Sequence, residues 1–153
     1  MKKLFLIATV TFLTAATFAQ SDKYVASMKA NIAAIDSSFK NPANLLDLAN
    51  KFERIATAEK TQWLAYYYAA LCQVNYTYME QDKSKIDAIA DKATELIDKA
   101  DALQPNNSEI SCLKSMIASA HMMVNPMQRF QEYGPEAASY IEAAMKQDPA
   151  NPR

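Results

Sequence analysis

Apolar residues recur along this chain at helical spacing, not at strand spacing. Leu45, Leu48, Ala49, Phe52, Ile55 and Ala56 share one face at a 3.6-residue period. The cleanest stripe is Ile86, Ile89, Ala90, Ala93, Leu96, Ile97, Ala100 and Leu103, with Asp91, Lys92, Glu95 and Lys99 on the opposite side. Weaker stripes join Val25, Met28, Ile32, Ile35 and Phe39, then Ile110, Leu113, Ile117, Ala120 and Val124. A last stripe holds Ala137, Tyr140, Ile141, Ala144 and Met145. Residues 61–79 carry no charge and are apolar nearly all round, which predicts a helix covered on both sides.

Six helices follow. They span about 23–39, 42–57, 61–79, 84–103, 108–124 and 135–147. Proline is excluded from helix interiors and tolerated at helix starts, so Pro42, Pro105, Pro126, Pro135, Pro149 and Pro152 are read as seams. Asn41-Pro42 caps and opens the second helix. Ser84 with Asp87 has the spacing of a capping box for the fourth. Residues 125–134 are expected as a long loop, with Pro135 opening the sixth helix.

One spacing recurs. Ala93, Ile97, Ala100 and Pro105 are matched 44 residues on by Ala137, Ile141, Ala144 and Pro149. Leu48, Phe52 and Ile55 form a looser copy 45 residues earlier. Self-similarity at a fixed period marks a solenoid of stacked units, and such stacks mostly bind other proteins. Small alanines let neighbouring helices approach, the large apolar residue fills the gap, and the proline stops the helix.

This pattern resembles the second helix of a tetratricopeptide repeat. The turns 104–107 and 148–151 look like the linkers between such repeats, and the resemblance covers about residues 23–153. It departs in period, 44–45 residues against the family's 34. It departs also in the first helix of each unit, where Ser111, Lys114 and Ser115 fall on packing positions. The resemblance implies an all-α fold, a right-handed tetratricopeptide-like superhelix of three helical hairpins at about 23–57, 61–103 and 108–147. It also implies a non-catalytic scaffold that holds a protein or peptide partner in a groove lined by the first helices.

Composition narrows the picture. A single glycine, Gly134, leaves few places for hairpin turns with positive φ, against a β-rich fold. Lys2 and Lys3, the apolar run 4–16 and the small residues around Ala19 read as a signal peptide over residues 1–19, cleaved before Gln20. The run is short for a membrane span, so an exported domain over 20–153, periplasmic or secreted, is expected. Loss of the two lysines moves the net charge from −1 to −3, with no basic stripe for nucleic acid. Cys72 and Cys112 lie on predicted helices of neighbouring units, at a spacing poor for a disulfide. Two buried free thiols are the preferred reading.

Candidate chemistry is sparse. No nucleophile, acid–base or metal-ligand constellation converges, so neither a catalytic residue, a cofactor nor a metal is assigned. His121 stands alone among Met116, Met122, Met123 and Met127, which read as packing. Ser111, Ser115 and Ser119 read as a close helix–helix contact. Partner binding falls to aromatics and one cation: Trp63 and Tyr67 on the uncharged helix, Arg129 and Tyr133 in the expected loop. The alternative function is structural, a self-associating or envelope-complex subunit docking through the sixth helix. The turn at 148–152 points into a further helix, so the domain is expected to be incomplete at its C-terminal end.

Overall fold

The computed structural model describes residues 22–152, so the expected signal peptide lies outside the described residues. Those residues form seven α-helices and no strand. The helices are α1 (Asp22–Ala33), α2 (Ile35–Ser38), α3 (Pro42–Ala58), α4 (Trp63–Met79), α5 (Ile86–Leu103), α6 (Ser108–Val124) and α7 (Pro126–Gln147). The all-α expectation holds.

Local chemistry sets the helix ends. Asn41 caps α3 by accepting from the Ala43 N–H, with Pro42 in the first turn where its missing N–H costs nothing. Asn107 caps α6 through the N–H groups of Glu109 and Ile110. Asn106 before it takes a positive φ of 60°, a conformation asparagine tolerates. The first predicted helix is broken at Ala34. There the hydroxyls of Ser37 and Ser38 both donate to the Ala34 carbonyl, at 2.9 and 2.8 Å, and compete with the helical ladder.

Two expectations at helix starts are corrected. Ser84 and Asp87 do not form a capping box. Asp82 caps a 3-10 turn at Lys83–Lys85, accepting from the Ser84 N–H at 3.1 Å, while Asp87 is taken by other partners described below. Residues 125–134 are not a loop. Asn125 caps α7, Pro126 opens it, and Pro135 lies inside the helix. Pro135 is exposed, and so is Gln131, whose carbonyl would have accepted the missing bond. Water can serve that carbonyl, so the helix survives its proline.

The connections between successive helices are short, which leaves neighbours antiparallel. α4 packs on α3 and α5 and also reaches α6; α6 packs most extensively on α7. Uncharged α4 buries residues on every side, among them Ala65, Tyr67, Ala69, Cys72, Val74 and Thr77, as a helix apolar all round should. Phe52 of α3, Leu96 and Ile97 of α5, and Ile110 and Leu113 of α6 are fully enclosed. Ala49, Ala56, Ala69, Ala70, Ala93 and Ala100 have no exposed surface, so these alanines do set the close approach. Ser111 and Ser115 tie α6 to α7, donating to Gln147 Oε1 at 2.8 Å and to the Ala137 carbonyl at 2.9 Å.

A candidate ligand trough between three helices

Three helix ends meet at one corner. Asp87 sits in the first turn of α5, His121 in the last turn of α6 and Arg129 in the first turn of α7. The Arg129 guanidinium grips Asp87 with both ends, Nη1 to Oδ1 at 2.6 Å and Nη2 to Oδ2 at 2.8 Å. It also donates to the His121 carbonyl at 3.0 Å. His121 Nδ1 lies 3.0 Å from Asp87 Oδ1. The Arg129 hydrogen bonds, aided by His121 and opposed by burial, hold the Asp87 carboxyl down to about 2.

From this corner a trough of about 250 Å³ runs between α5, α6 and α7. Ile97, Ile117 and Ala118 form its floor, and Tyr133 and Tyr140 its α7 wall. The Tyr133 ring stacks on the His121 imidazole at 5.1 Å and 15°. Held at Nδ1 by Asp87, the imidazole turns Nε2 to within 3.6 Å of Asp91, on the trough wall. Asp98 and Glu136 add two more carboxylates to the lining.

Lys114 supplies the trough's ammonium. It meets Asp98 at 3.0 Å and Asp101 at 2.7 Å, and lies 5.9 Å from the centre of the Tyr140 ring. Burial pulls its pKa down, but the hydrogen bonds to Asp101 and Asp98 outweigh that and leave it raised. A lysine that the repeat pattern placed at a packing position is therefore half-buried and paired.

The sequence-expected binding residues separate. Tyr67 is a core side chain, 3% exposed, with its hydroxyl donating to Glu109 at 2.8 Å, so it does not anchor a partner at the surface. Trp63 is half-buried and meets Tyr67 edge-on at 5.8 Å. Arg129 is engaged at the corner. Tyr133 lines the trough. His121, to which the sequence assigns no metal or catalytic role, is buried and lines the trough. Its partner Asp87 lies 34 residues away on a different helix, and spacing alone does not reveal such a pair.

A second surface feature lies on α7. Met127 (94% exposed), Phe130 (63%), Ile141 (41%) and Met145 (65%) stand on one bare face. Near its end, Ile141, Ala144 and Met145 line a hollow with Cys112 and Pro149. Cys72 and Cys112 are both buried and unbridged, and burial pushes the Cys72 thiol up to about 12. Among the described residues no helix is long and apolar enough to cross a membrane.

No protein-family profile matches the chain, and no curated protein matches it. Among solved structures the chain is similar to the HusA haemophore from Porphyromonas gingivalis, with 37% sequence identity and a TM-score of 0.77 over 88% of this chain. The match spans 65% of the haemophore's length.

Proposed function

We propose that this chain is a non-catalytic carrier of a haem-like tetrapyrrole, exported from the cell. The observation that carries this reading is the 37% identity to a haemophore across 88% of the chain. The accompanying fold reading is a right-handed tetratricopeptide-like superhelix of three helical hairpins. It is supported by the 44-residue recurrence, the short helix connections and the added contact of α4 with α6. Export rests on the basic, apolar, small-residue order of residues 1–19.

The trough is the seat we favour within this reading. It gathers two tyrosines, an imidazole, an apolar floor and an ammonium, which together suit a flat aromatic ligand bearing carboxylates. At about 250 Å³ it admits an edge of a macrocycle while the rest lies across the surface. Of the carboxylates in its lining, Asp98 is paired with Lys114 and Asp91 stands 3.6 Å from the His121 imidazole.

The test is a titration of residues 20–153 with haemin and with metal-free protoporphyrin, followed by the Soret band. Saturable binding below about 10 µM is expected. Absence of a band shift with either compound at that concentration overturns the carrier reading. His121→Ala and Tyr133→Ala are each expected to weaken binding about tenfold. Unchanged affinity in both moves the ligand out of the trough and leaves the carrier reading standing.

The alternative reading, a scaffold for a protein partner, is favoured by one observation: the bare apolar face of α7.

A further inference from the structure

The bare face of α7 has an internal symmetry. At helical spacing it reads Met127, Phe130, Gly134, Ala138, Ile141, Met145. Two large side chains are followed by two small ones and then two large ones, centred on residue 136. Reversing the helix end for end lays the pattern on itself. Met127 falls opposite Met145, Phe130 opposite Ile141, and Gly134 opposite Ala138. A two-fold interface requires this relation, in which residue i meets residue j and j meets i.

The corresponding position on α5 is covered. Ile97 and Ile141 hold the same place in the 44-residue recurrence. Ile97 is 1% exposed, because α6 and its neighbours cover it, whereas Ile141 is 41% exposed. Ala144, at the edge of the α7 face, is buried against α6, so the bare strip adjoins an existing helix contact. Exposed Ala138 near its centre allows a second helix axis to come close. The Phe130 ring lies over Gly134, where an added Cβ would come within 3.2 Å of it.

We propose that this face docks a second copy of the chain, the two α7 helices packing antiparallel about a two-fold axis near residue 136. No charged side chain lies on the strip, and the pairing opposes no like charges. Glu142, at the strip's edge, comes level with the Gln131 amide of the second copy, which can donate to it. The exposed parts of the four large side chains amount to roughly 500 Å² per copy, at about 150–250 Å² for a large side chain. Two copies bury about 1,000 Å², just under the ~1,200 Å² at which stable interfaces begin. A reversible dimer with a Kd on the order of 10 µM is the expected strength. This inference does not rest on the tetrapyrrole reading.

Sedimentation equilibrium of residues 20–153 from about 1 to 200 µM tests it. Wild type is expected to shift from monomer to dimer across that range. Met127→Lys and Met145→Glu each change an exposed residue, so folding, checked by circular dichroism, is retained. Each is expected to weaken the dimer at least tenfold. In the double variant the new lysine of one copy faces the new glutamate of the other, twice per dimer, and association is expected to return. A wild-type monomer at every concentration overturns the proposal, as does a double variant no tighter than the singles. Met127 and Met145 protected from peroxide in a monomer also overturn it, because another helix then covers the face. Haemin binding lost in Met145→Glu alone assigns the face to the ligand and overturns it as well.

Discussion

The hydroxyl of Tyr67 on α4 donates to Glu109 on α6 at 2.8 Å, across 42 residues of sequence. Asn151, another 42 residues on, donates to the other oxygen of the same carboxylate at 3.2 Å. Glu109 thus joins two positions that lie equally far from it along the chain. Removing the phenol hydroxyl takes one donor from the carboxylate and leaves it the Asn151 amide. Tyr67→Phe keeps the ring and removes the bond, and is expected to lower stability by about 1–2 kcal/mol. Tyr67→Ala also opens a cavity, and is expected to cost about 3–5 kcal/mol. Urea unfolding followed by circular dichroism separates the two.

The Asp87–Arg129 pair makes stability depend on acid. Asp87 has a folded pKa of about 2, below its ordinary 3.8. The folded form therefore favours the carboxylate, and the stabilisation is present in full above the unfolded value. It is lost as pH falls from about 4 through 2. Asp87→Asn is expected to cost about 0.5–1 kcal/mol at pH 7, since the pair is partly exposed and screened. The gap between wild type and variant should close as pH falls through that window, which denaturation at stepped pH measures. An unchanged gap at pH 2 would contradict the pairing.

Pro135 lies inside α7 and removes one hydrogen bond from it. Pro135→Ala restores that bond on an exposed face. The expected result is a gain of about 1–3 kcal/mol in stability, read as a higher Tm. A lower Tm would show that the proline sets a helix bend that the α6 contact needs.

The Cys72 thiol, pushed up to about 12 by burial, is almost wholly protonated at neutral pH. Thiolate is the reactive form. Labelling of Cys72 by a thiol reagent at pH 8 is therefore expected to be at least a hundredfold slower than in urea, with mass spectrometry identifying the modified residue.

Much of this fold was legible because burial follows a period. The stripes on α3 and α5 reach the core in the register they predict, from Leu45 to Ala56 and from Ile86 to Ala100. The start of α7 was misread because proline is counted as a seam wherever it falls. The sequence does not say that Pro135 and Gln131 both face water, which is what lets the helix pass through. The trough was harder to read. Tyr133 was selected for its aromatic ring and does line it. Tyr67 was selected for the same reason, but the approach of Glu109 and Trp63 makes it part of the core. His121 and Asp87 come together only through helix packing, at 34 residues' separation. Asp87 also resembled a cap residue, a local pattern that the Arg129 guanidinium overrides.

The helices do not share their surfaces equally. α5 meets α6 over less of its length than α4 meets α5 or α6 meets α7. Much of what crosses that narrower seam is polar: Lys114 to Asp98 and Asp101, and His121 to Asp87. Folding cooperativity should be weakest there. Hydrogen exchange would then resolve two blocks of amides, residues 22–103 and 108–147, that open with different free energies. Added salt should widen the difference, because it screens the links across the seam and leaves the apolar cores on either side intact.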